Sequence, residues 1–193
     1  MTSPGFEGSS SDPVEEQWLQ LARSGDEVAF ASLVRRHQDQ LYRVALRMTA
    51  DPGAAQDIVQ ESLLQAWQHL PGFRGEARFA TWVTRIVINR CHNLHRAARP
   101  TTALPDESTS GTGSGLPTVP AAESVAIGAQ RHEAVRQALM LLPFDQRAPL
   151  VLTTFSGYTY AETGRILGIS EAAAKVRAHR ARRTLASRLQ SWR

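Results

Sequence analysis

Cysteine occurs once in the 193 residues, at Cys91, and lysine once, at Lys175. A single thiol closes no internal disulfide, so a small secreted fold stapled by disulfide bridges is excluded and a packed core must do that work. No stretch approaches the roughly 18 consecutive apolar residues of a membrane span. The opening segment MTSPGFEGSSSDP has neither the basic start nor the apolar run of a signal peptide, and the expectation is a reduced, cytoplasmic protein without direct membrane insertion. Catalytic signatures are also missing. There is no Walker loop, GxSxG elbow or HExxH pair, and Asp57 and Glu61 stand one helical turn apart, the spacing of a solvated face. Cys91, His92 and His95 crowd one helix without a distant partner, which reads as a buried thiol beside solvated histidines. Neither catalysis, a cofactor nor a metal is expected.

Strand signals are nearly absent too, while apolar residues recur at helical spacing. Phe30, Leu33, Val34, His37, Leu41, Val44, Ala45 and Met48 form one stripe, and Ile58, Val59, Leu63, Ala66, Trp67 and Leu70 another. Asp51-Pro52 reads as an N-cap with proline at the first helical position, and Pro71-Gly72 closes that helix. A further helix is predicted over 78–96. From Pro100 to Ser124 the chain turns to Pro, Gly, Ser and Thr, a composition that cannot offset its ordering entropy. The prediction is all-α: a disordered N-terminus over 1–12, a helical domain over 13–99, a flexible linker over 100–124 and a second helical domain over 125–193. In the latter, Val135, Ala138, Leu139 and Leu142 share a helix stopped by Pro143. Pro149 predicts a kink or a displaced start, and Thr159-Tyr160-Ala161-Glu162 reads as a capping box. Gly168 then supplies a tight turn and Ser170 caps a last helix, which together make a helix-turn-helix.

The mild formal charge of +4 conceals strong segregation. Residues 171–193 carry seven cations and one acid, residues 74–99 six and one, and residues 48–73 have three acids and no Lys or Arg. A basic helix after a turn suits the major groove, where early side chains reach base edges and arginines hold phosphates. Lys175, Arg177, His179, Arg180 and Arg183 are the candidates there. On the other basic segment, Phe73, Phe79 and Trp82 are interleaved with Arg74, Arg78 and Arg85, a pattern that holds unstacked bases. The same spacing suits a core helix, so the residues leave open whether Trp82 faces DNA or the interior.

At these residues the sequence resembles the extracytoplasmic-function (ECF) sigma factors of the sigma-70 family, promoter-recognition subunits of RNA polymerase. The resemblance rests on 57–67 (DIVQESLLQAW), on Phe73-Arg74-Gly75 with 79–86 (FATWVTRI) and Asn89, on Leu142-Pro143 with Gln146-Arg147, on 157–162 (GYTYAE) and on 175–182 (KVRAHRAR). It implies that the acidic helix, through Asp57, Gln60, Glu61, Leu64 and Trp67, docks on the beta and beta-prime subunits of core polymerase. It implies that Phe73, Arg74, Phe79, Trp82, Arg85 and Asn89 open the minus-ten element and capture a base, that the last helix reads the minus-thirty-five element, and that an anti-sigma partner holds the protein inactive. Two elements about 16–17 base pairs apart lie roughly 55 Å apart at about 3.4 Å per pair. A linker of about 25 residues, with an r.m.s. span near 28 Å, must be drawn out to serve both. Thr163-Gly164 departs from the family pattern and predicts looser packing by about 1 kcal/mol. Ala172-Ala173-Ala174 departs as well, leaving base reading to Lys175 and its successors. The competing readings are a stand-alone helix-turn-helix regulator and an RNA-binding adaptor.

Overall fold

The computed structural model describes residues 12–98 and 133–189; the expected linker and all but the last residue of the expected N-terminal segment lie outside them. Among the described residues every regular element is helical, as the periodicity predicts. The first four helices are α1 (Pro13–Arg23), α2 (Glu27–Thr49), α3 (Pro52–His69), followed by a 3₁₀ turn over Leu70–Gly72, and α4 (Phe79–Ala97). Three aspartates start the first three. Asp12 accepts from the Val14 amide, Asp26 from Ala29 at 2.9 Å and Asp51 from Ala54 at 2.8 Å, each cap contributing about 1 kcal/mol. Pro52 occupies the first turn of α3, as its fixed φ favours. α2 is the central helix: Leu33, Leu41 and Val44 are fully buried among α1, α3 and α4.

The second half comprises α5 (133–140), α6 (Phe144–Leu150), a π-turn over Val151–Phe155, α7 (Tyr160–Leu167) and α8 (Glu171–Arg188). Pro149 does not displace the start of the helix, which begins at Phe144 directly after Pro143. It has no N–H to give the Asp145 carbonyl in the first turn, and the backbone beyond it widens into the π-turn. The capping box is complete: Thr159 Oγ1 accepts from the Glu162 amide at 3.1 Å, and Glu162 accepts from the Thr159 amide at 2.9 Å. Gly168 closes α7 in the left-handed region at φ 66°, and Ser170 accepts from the Ala173 amide to open α8.

Gly164 corrects the expectation of loose packing. A Cβ there would stand 2.7 Å from the Ile169 carbonyl oxygen and 3.3 Å from the Glu171 amide nitrogen, so the missing side chain lets the turn approach α7 closely. α8 meets the core through Ala174, Ala178 and Ala181, all fully buried. Small residues at that spacing bring the helix close and turn its long side chains outward.

α4 is packed on both sides, against α2 and α3 on one and α6 and α7 on the other. Cys91 lies within this arrangement, 2% exposed, and burial pushes its thiol up to about 12. At pH 8 only about one thiol in ten thousand would be ionised, and the thiolate is the reactive form. Cys91 is therefore expected to resist a disulfide reagent in the native chain and to react fully in urea; rapid native modification, followed by absorbance, would show the thiol to be accessible.

Candidate nucleic-acid interface

Three faces carry the residues singled out by the sequence. On α3, burial of Ala55, Ile58, Val59, Ser62 and Ala66 turns Asp57, Gln60, Glu61 and Leu64 to solvent, with Leu64 59% exposed. The Asp57 side chain makes no hydrogen bond or ion pair among the described residues. Glu61 differs, because it pairs with Arg90 of α4. Trp67 is half-buried against Phe30, ring centroids 4.8 Å apart, and so braces α3 on α2. Beside Gln60 runs a shallow groove between α2 and α3 bordered by Asp39, Tyr42, Val59 and Leu63.

The second face joins α4 to the loop before it. Gly75, at φ 74°, turns that loop. Phe73, Arg74, Trp82 and Arg85 line one cleft of about 520 Å³, with Arg74 and Arg85 exposed and Trp82 half-buried. The Phe73 ring lies 4.8 Å from Trp82 and is itself only 7% exposed, so it backs the tryptophan. Phe79 is a correction. It is 2% exposed, edge-on to Phe30 at 6.5 Å and 5.7 Å from His37, hence a core residue that cannot stack on a base in the folded state. Asn89 is exposed one turn beyond Arg85 and does not line the cleft. Arg165 and Ile166 from α7 do line it, which the sequence had not suggested.

The third face is the outer side of α8. Lys175, His179, Arg180 and Arg183 are exposed, and Arg177 is half-buried at the margin of the alanine seam. Arg182 turns back, donating to the Tyr160 hydroxyl at 3.1 Å and thereby holding α8 to α7.

A model of sigma-70 region 2 matches residues 33–101, and one of sigma-70 region 4 matches 132–185. Over 184 residues the chain is 38% identical to the ECF RNA polymerase sigma factor SigM of Mycobacterium tuberculosis, covering 94% of this chain and 87% of that one. The chain belongs to the ECF sigma factors of the sigma-70 family. This sigma factor is also 30% identical over 182 residues to the RNA polymerase sigma-H factor of Pseudomonas aeruginosa, covering 91% and 94% of the two chains. A solved structure of CnrH in complex with the cytosolic domain of CnrY superimposes with a TM-score of 0.71 at 26% identity, over 93% of this chain and 99% of CnrH. The presence of both regions in one chain disfavours the stand-alone regulator and the RNA-binding adaptor. Sigma factors direct RNA polymerase to promoters, and this one acts in promoter-specific transcription initiation.

Within the sigma factor, α8 presents one residue that charge counting passes over. Val176 is 48% exposed, between Lys175 and Arg177 and on the side away from the alanine seam. An apolar side chain at a DNA-reading surface is suited to a thymine methyl group. The signal was present in the sequence as the one apolar residue larger than alanine within the basic run 175–183.

Proposed function

We propose that the three faces divide promoter recognition among them. The outward side of α3, through Asp57, Gln60, Glu61 and Leu64, docks on the beta and beta-prime subunits of core polymerase, with Trp67 setting its position. The cleft of Arg74, Trp82 and Arg85, backed by Phe73 and extended by Asn89, engages the minus-ten element during opening. Lys175, Val176, Arg177, His179, Arg180 and Arg183 read the minus-thirty-five element. The observation carrying this reading is the segregation of an acidic face on α3, a helix with no Lys or Arg of its own, from basic faces on α4 and α8. Such a chain works in the cytoplasm by binding, with no chemistry of its own. Its structural relative CnrH was solved with the cytosolic domain of CnrY; a polypeptide anti-sigma partner of this sigma factor is proposed on that likeness.

Two substitutions separate base reading from phosphate holding. Arg180→Ala is expected to weaken initiation by about 1–3 kcal/mol, with the loss concentrated at particular base pairs. A loss uniform across promoters in run-off transcription would assign Arg180 to phosphate. Val176→Ser is expected to lower initiation several-fold on promoters with thymine in the minus-thirty-five element, with no effect where uracil replaces it. Equal losses on both templates would remove Val176 from the reading surface.

A further inference from the structure

The cleft between α4 and α7 gathers more positive charge than its surroundings answer. Arg74 stands on the loop before α4, Arg85 on α4 and Arg165 on α7; all three line the cleft and are exposed. Among the described residues none of these three side chains makes a hydrogen bond or an ion pair. Glu76 is the one carboxylate on the lining, and it too has no such partner among the described residues. Guanidiniums brought together from three separate elements repel one another, and an anion between them removes that cost. The start of α4 adds to the same field. No side chain among the described residues caps its first amides, and Ala77 and Thr81 at that end border the cleft.

The rest of the lining is flat and apolar. Trp82 is half-buried and supported from behind by Phe73, while buried Ile166 contributes an aliphatic wall. A tryptophan held in this way offers its open face to a planar ring, and stacking on an aromatic tolerates any base. Guanidinium forks match phosphate oxygens in pairs. Three cations against one carboxylate leave an excess that a phosphate chain answers and an uncharged nucleoside does not. The cleft volume of about 520 Å³ lies within the roughly 300–1,000 Å³ of small-molecule sites.

We propose that this cleft binds a free purine nucleoside polyphosphate, its base stacked on Trp82 and its phosphates held by Arg74, Arg85 and Arg165. A purine covers more of the indole than a pyrimidine does. Arg165 is the discriminating residue, since it comes from the second half of the chain and lies outside the set assigned to the minus-ten element. A bound nucleotide covers Trp82 and Arg85, so it excludes a minus-ten base from the same surface. Occupancy of the cleft thereby ties promoter opening to the concentration of a free nucleotide. The ligand site follows from the cleft alone; its regulatory consequence rests on the minus-ten reading, and the test separates the two.

The probe is GDP carrying an N-methylanthraniloyl group on its ribose, titrated with the full-length chain and followed by anisotropy. Saturable binding is expected. Arg165→Ala is expected to weaken it about tenfold, the loss of a hydrogen bond to a charged group. Arg35→Ala removes an exposed charge on α2 outside the cleft and should leave binding unchanged. Unlabelled GDP should displace the probe about tenfold more effectively than pyrophosphate, which has no base to stack, or guanosine, which has no phosphate. Absence of saturable binding overturns the proposal. So does an equal loss from Arg165→Ala and Arg35→Ala, or displacement by pyrophosphate or guanosine as effective as that by GDP. A single-stranded oligonucleotide carrying the minus-ten sequence of a responsive promoter should displace the probe as well. Failure of that strand to compete, with the Arg165→Ala loss intact, overturns the minus-ten assignment of Trp82 and leaves the nucleotide site standing.

Discussion

Asp57→Lys is expected to lower the affinity of this sigma factor for core RNA polymerase by about two orders of magnitude. The carboxylate stands on the exposed side of α3, and among the described residues its side chain has no hydrogen-bond or ion-pair partner, so its charge is available to a docking surface. Placing a like charge against a complementary surface costs several kcal/mol. Surface substitutions away from caps and cores change stability by less than about 0.5 kcal/mol, so helix content and melting temperature should be retained. Glu61→Lys is a less clean probe, because it also sets a cation against Arg90. Fluorescence anisotropy of labelled chain titrated with core polymerase reads the effect. Affinity unchanged by Asp57→Lys would move the docking surface off α3.

Gly164→Ala is the second large effect, and it runs against helix propensity. Alanine at an ordinary helix position gains about 1 kcal/mol over glycine. At 164 the new Cβ meets backbone, the Ile169 carbonyl at 2.7 Å, and backbone in a two-bond turn cannot move aside. That carbonyl end is fixed by the Gly164 carbonyl accepting from the Ile169 amide at 3.0 Å. The net result is a loss of about 1–3 kcal/mol, in the range of overpacked cores. Differential scanning calorimetry should show a lowered transition and transcription should lose minus-thirty-five dependence. Gly72→Ala, where the added atom meets nothing within 4 Å, is the matched control and should be near neutral. A stable Gly164→Ala chain would show that the turn is not held by close backbone approach.

Features that depend on neighbours within one or two turns were legible from residues alone. The N-caps at Asp51, Thr159 and Ser170, the left-handed Gly168 and the buried stripe of α2 all follow from local chemistry. The α3 face was legible for a related reason, since the absence of any cation over 48–73 marks a surface whatever its partners. What stayed hidden is tertiary. Helical spacing puts Phe79 and Trp82 on one aromatic run without saying which side meets α2, and the core takes Phe79. Nothing within a turn or two of Arg147 marks it for burial, because the carbonyl of Met48 that receives its guanidinium lies 99 residues earlier in the chain. Gly164 reads as a loosened helix because the backbone that needs its missing Cβ arrives from the following turn.

The central claim is that this chain gives core RNA polymerase its choice of promoter. Run-off transcription on a genomic fragment library, with core polymerase in the presence and absence of the full-length protein, tests it most directly. Discrete transcripts should appear only when both are present, from sites sharing two sequence elements roughly 16–17 base pairs apart, and the chain alone should bind duplex DNA weakly. Identical transcripts with and without the protein, together with tight binding of the chain alone to a specific duplex, would contradict the account.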